Sequence, residues 1–215
     1  MAQSSPSRRL TREASRLRTR ADLLAAAKLL FVEKGFGATS LRDIAAQAGY
    51  TQGAFYSNFA DKEALFIELM QSRASAQLGE VAQMLGDPAL TQQAMLGALD
   101  AWSKRIDDEP EWAVLGIEFE LQAGRSVALA NASRALWSAH RDGFARCIEL
   151  VFARLDLVPP EAPPMLAASF MALSHGLALQ RPILGEVPAG QAIMVFLRGL
   201  IAAAKPVTRA KKSRG

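Results

Sequence analysis

The stretch TQGAFYSNFADKEAL, residues 51–65, decides how this 215-residue chain is read. Thr51 is an N-cap residue type, and Phe55 and Phe59 stand four apart, so one face of a helix over 52–59 is buried. The opposite face shows Gln52, Gly53, Tyr56 and Ser57, with Asn58 at its margin. Asp61 caps a further helix from Lys62 that runs to about Leu85, where Gly86, Asp87 and Pro88 end it. Working back, Ser40 and Asp43 have capping-box spacing. Leu41, Ile44, Ala45 and Ala48 form one apolar stripe that Gly49 breaks. Further upstream, Thr19 and Asp22 begin a helix in which Leu23, Ala27, Leu30 and Phe31 recur at helical spacing, with Lys34 and Gly35 as its stop. Two short helices joined at a glycine, the second polar on its outer face, make a helix-turn-helix. Small residues at 53 and 54 let that helix approach DNA closely, while Arg42, Gln52 and Tyr56 can reach bases and phosphates.

Residues 19–65 closely resemble the DNA-binding domain of the tetracycline-repressor (TetR) family of transcriptional regulators. Cap, turn, aromatic pair and the following Asp61, Lys62 and Glu63 all fall in register. The resemblance implies a base or phosphate contact for Arg42, base contacts at Gln52, Gly53 and Ala54, and phosphate contacts at Thr51, Tyr56 and Lys62. Asn58 stands where many members carry histidine, and Ser57 where larger residues are common. Those departures bear on the preferred base sequence, not on the docking. Read without the resemblance, Tyr56 also suits a core edge, Lys62 a solvated helix start, and Arg42 a pairing with a nearby acid.

Charge is uneven along the chain. Residues 1–20 hold six arginines against Glu13, a local +5, and residues 205–215 hold five bases and no acid, again +5. The overall +4 therefore leaves a net −6 over 21–204. Such tails fit a polyanion partner, with simple solubilisation as the plainer alternative. Residues 1–18 are expected to be a basic arm, disordered alone, that adds DNA contacts; residues 206–215 form a basic tail. With few aromatics and no apolar face, the tails do not suit a membrane surface.

Half the chain is apolar and 21% charged, which excludes a disordered or collagen-like chain. Sparse aromatics and no alternation of β-branched and polar residues lean helical. The lone Cys147 excludes an intrachain disulfide and a thiolate zinc site, and the separated His140 and His175 argue against a metal centre. No cofactor-binding motif is present, so no cofactor is expected. The arginine-bearing start lacks a secretory apolar run, so the cytoplasm is expected. Residues 162–180 carry no charge, but Pro163, Pro164, His175 and Gln180 leave too little for the roughly 20 residues of a spanning helix. A buried helix is the better reading.

From Phe66 onward one helix follows another. Residues 89–106 place Met95, Leu99, Trp102 and Ile106 on one face; residues 111–124 place Trp112, Leu115 and Phe119. Residues 126–155 carry a seam of Trp137, His140, Phe144, Cys147, Ile148, Val151 and Leu155. Pro159, Pro160, Pro163 and Pro164 frame a rigid linker before two last helices, about 165–184 and 191–205. Those two are apolar nearly all round, so both sides must be covered. The resemblance implies that they meet their copies across a two-fold axis as a four-helix bundle; the plain alternative is a central helix within a monomer.

Three inward tryptophans are either core or the wall of an apolar cavity. The candidate effector residues are Met95, Trp102, Trp112, Leu115, Phe119, Trp137, His140 and Phe144. Glu118 sits at the edge, either selecting a cationic ligand or pairing with a neighbouring arginine. Nothing looks catalytic: His175 has no obvious acid beside it, Glu118 and Glu120 point to different sides, and Cys147 reads as packing.

The expectation is an all-α homodimer. A three-helix DNA-binding domain over 19–65 precedes a helical ligand-binding and dimerisation domain over 66–205. Its partners would be a palindromic double-stranded DNA operator and a small hydrophobic effector that releases it, with no membrane contact and no enzymatic role. The alternative is a helical small-molecule sensor or carrier without specific operator binding.

Overall fold

The computed structural model describes residues 11–185 and 188–207, and the chain divides into one unit ending at Leu69 and another starting at Met70. In the first unit, helix α1 (Arg12–Ala38) starts where the Thr11 hydroxyl accepts the Ala14 amide. The start expected at Thr19 is thus corrected: residues 12–18 are helical rather than a disordered arm, and the Thr19 hydroxyl donates to the Ser15 carbonyl inside the helix. The remainder of the expected arm, 1–10, lies outside the described residues, as do residues 208–215 of the tail. Gly35, at φ 79° and ψ 161°, kinks α1 where a stop was read, in a region that glycine alone enters cheaply.

Helix α2 (Leu41–Gln47) has the full capping box: Ser40 Oγ accepts the Asp43 amide, and the Asp43 carboxylate accepts the Ser40 amide. Gly49, at φ 77°, turns the chain into α3 (Gln52–Tyr56), capped by Thr51 Oγ1 accepting the Ala54 amide. This helix is shorter than the 52–59 expected. It passes into a turn at Ser57 and Asn58, and Phe59 keeps one helical bond to the Phe55 carbonyl. Leu23, Ala27, Leu30, Phe31, Ile44, Phe55 and Phe59 are buried as their spacing required. Phe31, Phe36 and Phe66 pack as an aromatic triple with centroids 4.8–5.3 Å apart. Helix α4 (Lys62–Gly86) begins in this unit.

The second unit continues with α5 (Gln92–Asp108), α6 (Glu111–Ala123), α7 (Val127–Arg154), α8 (Pro163–Leu184) and α9 (Ala189–Ala203). Pro163 and Pro164 are the first residues of α8 rather than a linker, since the opening turn needs no amide donors. Two-residue strands β1 (Leu157–Val158) and β2 (Lys205–Pro206) pair antiparallel, a feature without any periodic signal in the sequence. The Arg154 guanidinium donates to the carbonyls of Leu85, Asp87 and Leu90, fastening the turn between α4 and α5 to the end of α7. Gly190 lies so close to α5 that a Cβ would overlap the Ser103 carbonyl, and its amide donates to Asp107.

Among the described residues, helices α8 and α9 are each covered on one side only. Leu166, Ala167 and Phe170 of α8 and Met194 and Leu197 of α9 are core. Met165, Ala168, Ala172, Leu179 and Ile183 form an exposed stripe along α8, with Ile183 at 84% exposure, and Val195, Gly199 and Ala202 do so along α9. Among the described residues no helix is long and apolar enough to cross a membrane.

Candidate nucleic-acid interface and effector cavity

Thr51, Gln52, Gly53, Tyr56, Ser57 and Arg42 are exposed in the first unit, and Ala54 is half-buried. Tyr56 is 60% exposed, so it is not a core-edge residue. Arg42 forms no ion pair among the described residues, leaving its five donors for another partner. Ser57 Oγ donates to the Gly53 carbonyl, closing the end of α3.

Two of the expected contact residues are otherwise engaged. Asn58 turns back, its Nδ2 donating to the Ala54 carbonyl while its Oδ1 is buried. Lys62 Nζ donates to the Phe36 and Thr39 carbonyls at 2.6 and 2.7 Å and lies 4.2 Å from the centroid of the Phe36 ring. It is not a solvated helix start; it ties α4 to the end of α1.

Arg20, counted above among the six arginines of residues 1–20, is a brace. Its guanidinium bonds both oxygens of Glu68, donates to the Asn58 carbonyl and stacks 4.1 Å over Phe59. Tyr50 donates to Asp22 at 2.8 Å, so Asp22 serves the turn rather than a helix cap. No sequence spacing announces a contact across 48 residues. What remains of the arm's charge within the described residues is Arg12 and Arg16, exposed four apart, and Arg18, which is 3.9 Å from Asp22. Asp43 holds its carboxyl below the usual range because it accepts the Ser40 hydroxyl and amide.

The second unit contains a cavity of about 180 Å³. Trp102, Trp112, Phe119, Trp137, His140 and Phe144 line it. Met95 and Leu115 do not; both are fully packed core on the same helical faces, one step off the cavity. Glu118 is not on the wall either; Glu109 is, and Glu120 stands 3.6 Å from Nδ1 of the wall residue His175. An acid therefore does stand beside His175, but at a distance too long for a hydrogen bond. Burial lowers the imidazole and raises the Glu120 carboxyl.

The wall also includes residues the sequence reading passed over: Arg73, Met171, His175 and Cys147. Arg73 pairs with Glu109 at 2.9 Å and lies 5.2 Å from the Trp112 ring. Both members of that pair also line a second, more polar depression of about 330 Å³ with Glu80, Arg105 and Asp108. Burial pushes the Cys147 thiol up, which keeps it an inert packing group. His140 is pushed down to about 4 by burial and by nearby His175, and is neutral at physiological pH.

The family model for "Bacterial regulatory proteins, tetR family" matches residues 23–69. The HTH-type transcriptional regulator AcrR of Shigella flexneri is 39% identical over 156 residues, 67% of this chain and 71% of that protein. A TetR-family regulator from Mesorhizobium loti, known as a crystal structure, superposes with a TM-score of 0.67 at 22% identity, covering 91% of this chain and 99% of the other. The SmeT–triclosan complex superposes with a TM-score of 0.64 at 21% identity, covering 92% and 100%.

Proposed function

Since the chain belongs to the TetR family of bacterial regulatory proteins, we propose that it acts in the cytoplasm as a homodimeric repressor, released from a palindromic operator by a small hydrophobic effector. Arg42 and Gln52 read base edges, Gly53 and Ala54 matter by being small, and Thr51, Tyr56 and Ser57 serve phosphates. Asn58 and Lys62 hold that surface in shape from behind. Arg12 and Arg16 add flanking phosphate contacts from the first turns of α1.

The observation that carries this reading is helix α4. Its first residues, Lys62 and Glu68, are bonded into the DNA-binding unit, and Met70, Arg73, Ala74 and Gln77 of the same helix line the cavity. Helix α4 thus gives residues to the first unit and to the cavity wall of the second. SmeT, with the same fold, is known in complex with triclosan, which supports a small-molecule site in this architecture. The exposed stripe on α8 and α9 supports a second copy as the cover. An unpartnered apolar row of that length is rare on monomers.

Selection from random-sequence DNA with footprinting tests the reading. An enriched inverted repeat with half-sites about one helical turn apart is expected. A footprint without two-fold symmetry, or no enrichment after exhaustive selection, overturns it.

A further inference from the structure

Resting on the cavity being the effector site, we propose that its ligand is an uncharged aromatic molecule of one or two rings whose polar atoms accept hydrogen bonds. A ketone, ester or ether fits; an amine or a carboxylate does not. Size comes first: a cavity of about 180 Å³ is little larger than the roughly 150 Å³ engineered space that takes benzene. Shape comes next. Trp137 and His175 meet edge-on at 5.0 Å and His140 meets Phe144 edge-on at 5.1 Å, so the wall offers ring faces and edges to a flat guest.

The wall's hydrogen-bonding sense decides the polar chemistry. Trp137 Nε1 and Arg73 Nε are shut off from water and meet no acceptor among the described residues. Both atoms are donors only. Buried donors are almost always paired in folded proteins, so two on residues of one wall favour a guest with acceptors, which they meet by a small turn of the side chain. His140 Nε2 is likewise buried without a partner, and a neutral imidazole nitrogen adapts as donor or acceptor. An ammonium would set donors against donors.

Charge excludes the carboxylate. Among the described residues of the wall the one full cation, Arg73, already faces Glu109 at 2.9 Å, and His140 is neutral at physiological pH. An anion would be desolvated without a spare counter-charge. An ammonium would meet Glu109 already taken.

Calorimetric titration of the full-length protein with acetophenone, ethylbenzene, 1-phenylethylamine and benzoate tests the proposal. Acetophenone should bind roughly fivefold tighter than ethylbenzene, the worth of one hydrogen bond, and at least about tenfold tighter than the amine or benzoate. In Trp137→Phe or Arg73→Met, each checked for an unchanged helical spectrum, the lead over ethylbenzene should shrink while ethylbenzene still binds. Equal affinity for acetophenone and ethylbenzene, a lead that persists in both variants, or tightest binding by the amine or benzoate overturns the proposed chemistry and leaves the cavity reading standing. No binding by any of the four at millimolar concentration overturns the cavity reading as well.

Discussion

The two units use their buried polar groups in opposite ways. In the DNA-binding unit, Arg20, Lys62, Tyr50, Asp22 and Glu68 are bonded to one another or to carbonyls, and the space between them is filled by phenylalanines. In the cavity unit, Arg73 Nε, Trp137 Nε1 and His140 Nε2 meet no partner among the described residues, on side chains that line about 180 Å³ of space. A surface that must match the fixed spacing of a DNA groove gains from rigidity. A site that must admit a guest needs polar groups still in hand, at a cost to its own stability.

The comparison breaks most directly at the aromatic triple. Phe66→Ala removes a fully buried ring and should cost about 3–5 kcal/mol in urea unfolding, enough to abolish DNA binding. A loss below about 1 kcal/mol would mean that the first unit is looser than its packing indicates.

Next comes the brace. Lys62→Ala leaves two carbonyls without their charged donor and should lower stability by about 1–3 kcal/mol. Because the ammonium is spent internally, the salt dependence of operator binding should keep its slope. A slope flattened by about one unit would instead return Lys62 to the phosphate backbone.

His140→Phe should do the reverse, being neutral or stabilising by up to about 1 kcal/mol, since no protein bond is lost. It also removes a pH dependence whose sign follows from linkage. The folded His140 titrates near 4 and an unfolded histidine near 6.5, so between those values the unfolded chain binds more protons. Stability therefore falls as pH drops from about 6.5 toward 4. Unfolding midpoints measured across that window should show a shallower decline in His140→Phe than in wild type. Parallel curves would mean that His140 is not buried in its neutral form.

The smallest effect is expected at the surface. Arg16→Ala should change stability by less than about 0.5 kcal/mol and reduce the salt slope of DNA binding by about one. An unchanged slope would leave Arg16 with solubility alone.

Much of the first unit was legible because its signals are local. Ser40 and Asp43, Gly49, Thr51, and the Phe55–Phe59 pair each act within four residues, and the structure uses each as read. The start of α1 was misplaced because residues 12–18 have no apolar period; Leu17, their one large apolar residue, is 63% exposed. Among the tryptophan faces, helical period identified what points inward but not how deep it lies. Leu115 and Phe119 share a face, yet one is sealed core and the other cavity wall.

Sequence alone thus determined that the chain is a run of helices, the caps at Ser40 and Thr51, the exposed face of α3 and the surplus apolar residues of α8, because backbone capping and 3.6-residue periodicity are short-range properties. Tertiary structure decided which charges are free and which are braces. Arg20 and Lys62 look like the other bases in the sequence, and only the approach of Glu68, Phe59, Phe36 and Thr39 consumes them. It also decided the cavity, since a space between helices belongs to none of them. Two of its lining residues, Arg73 on α4 and Trp137 on α7, are brought to one wall only by the packing of elements more than 60 residues apart.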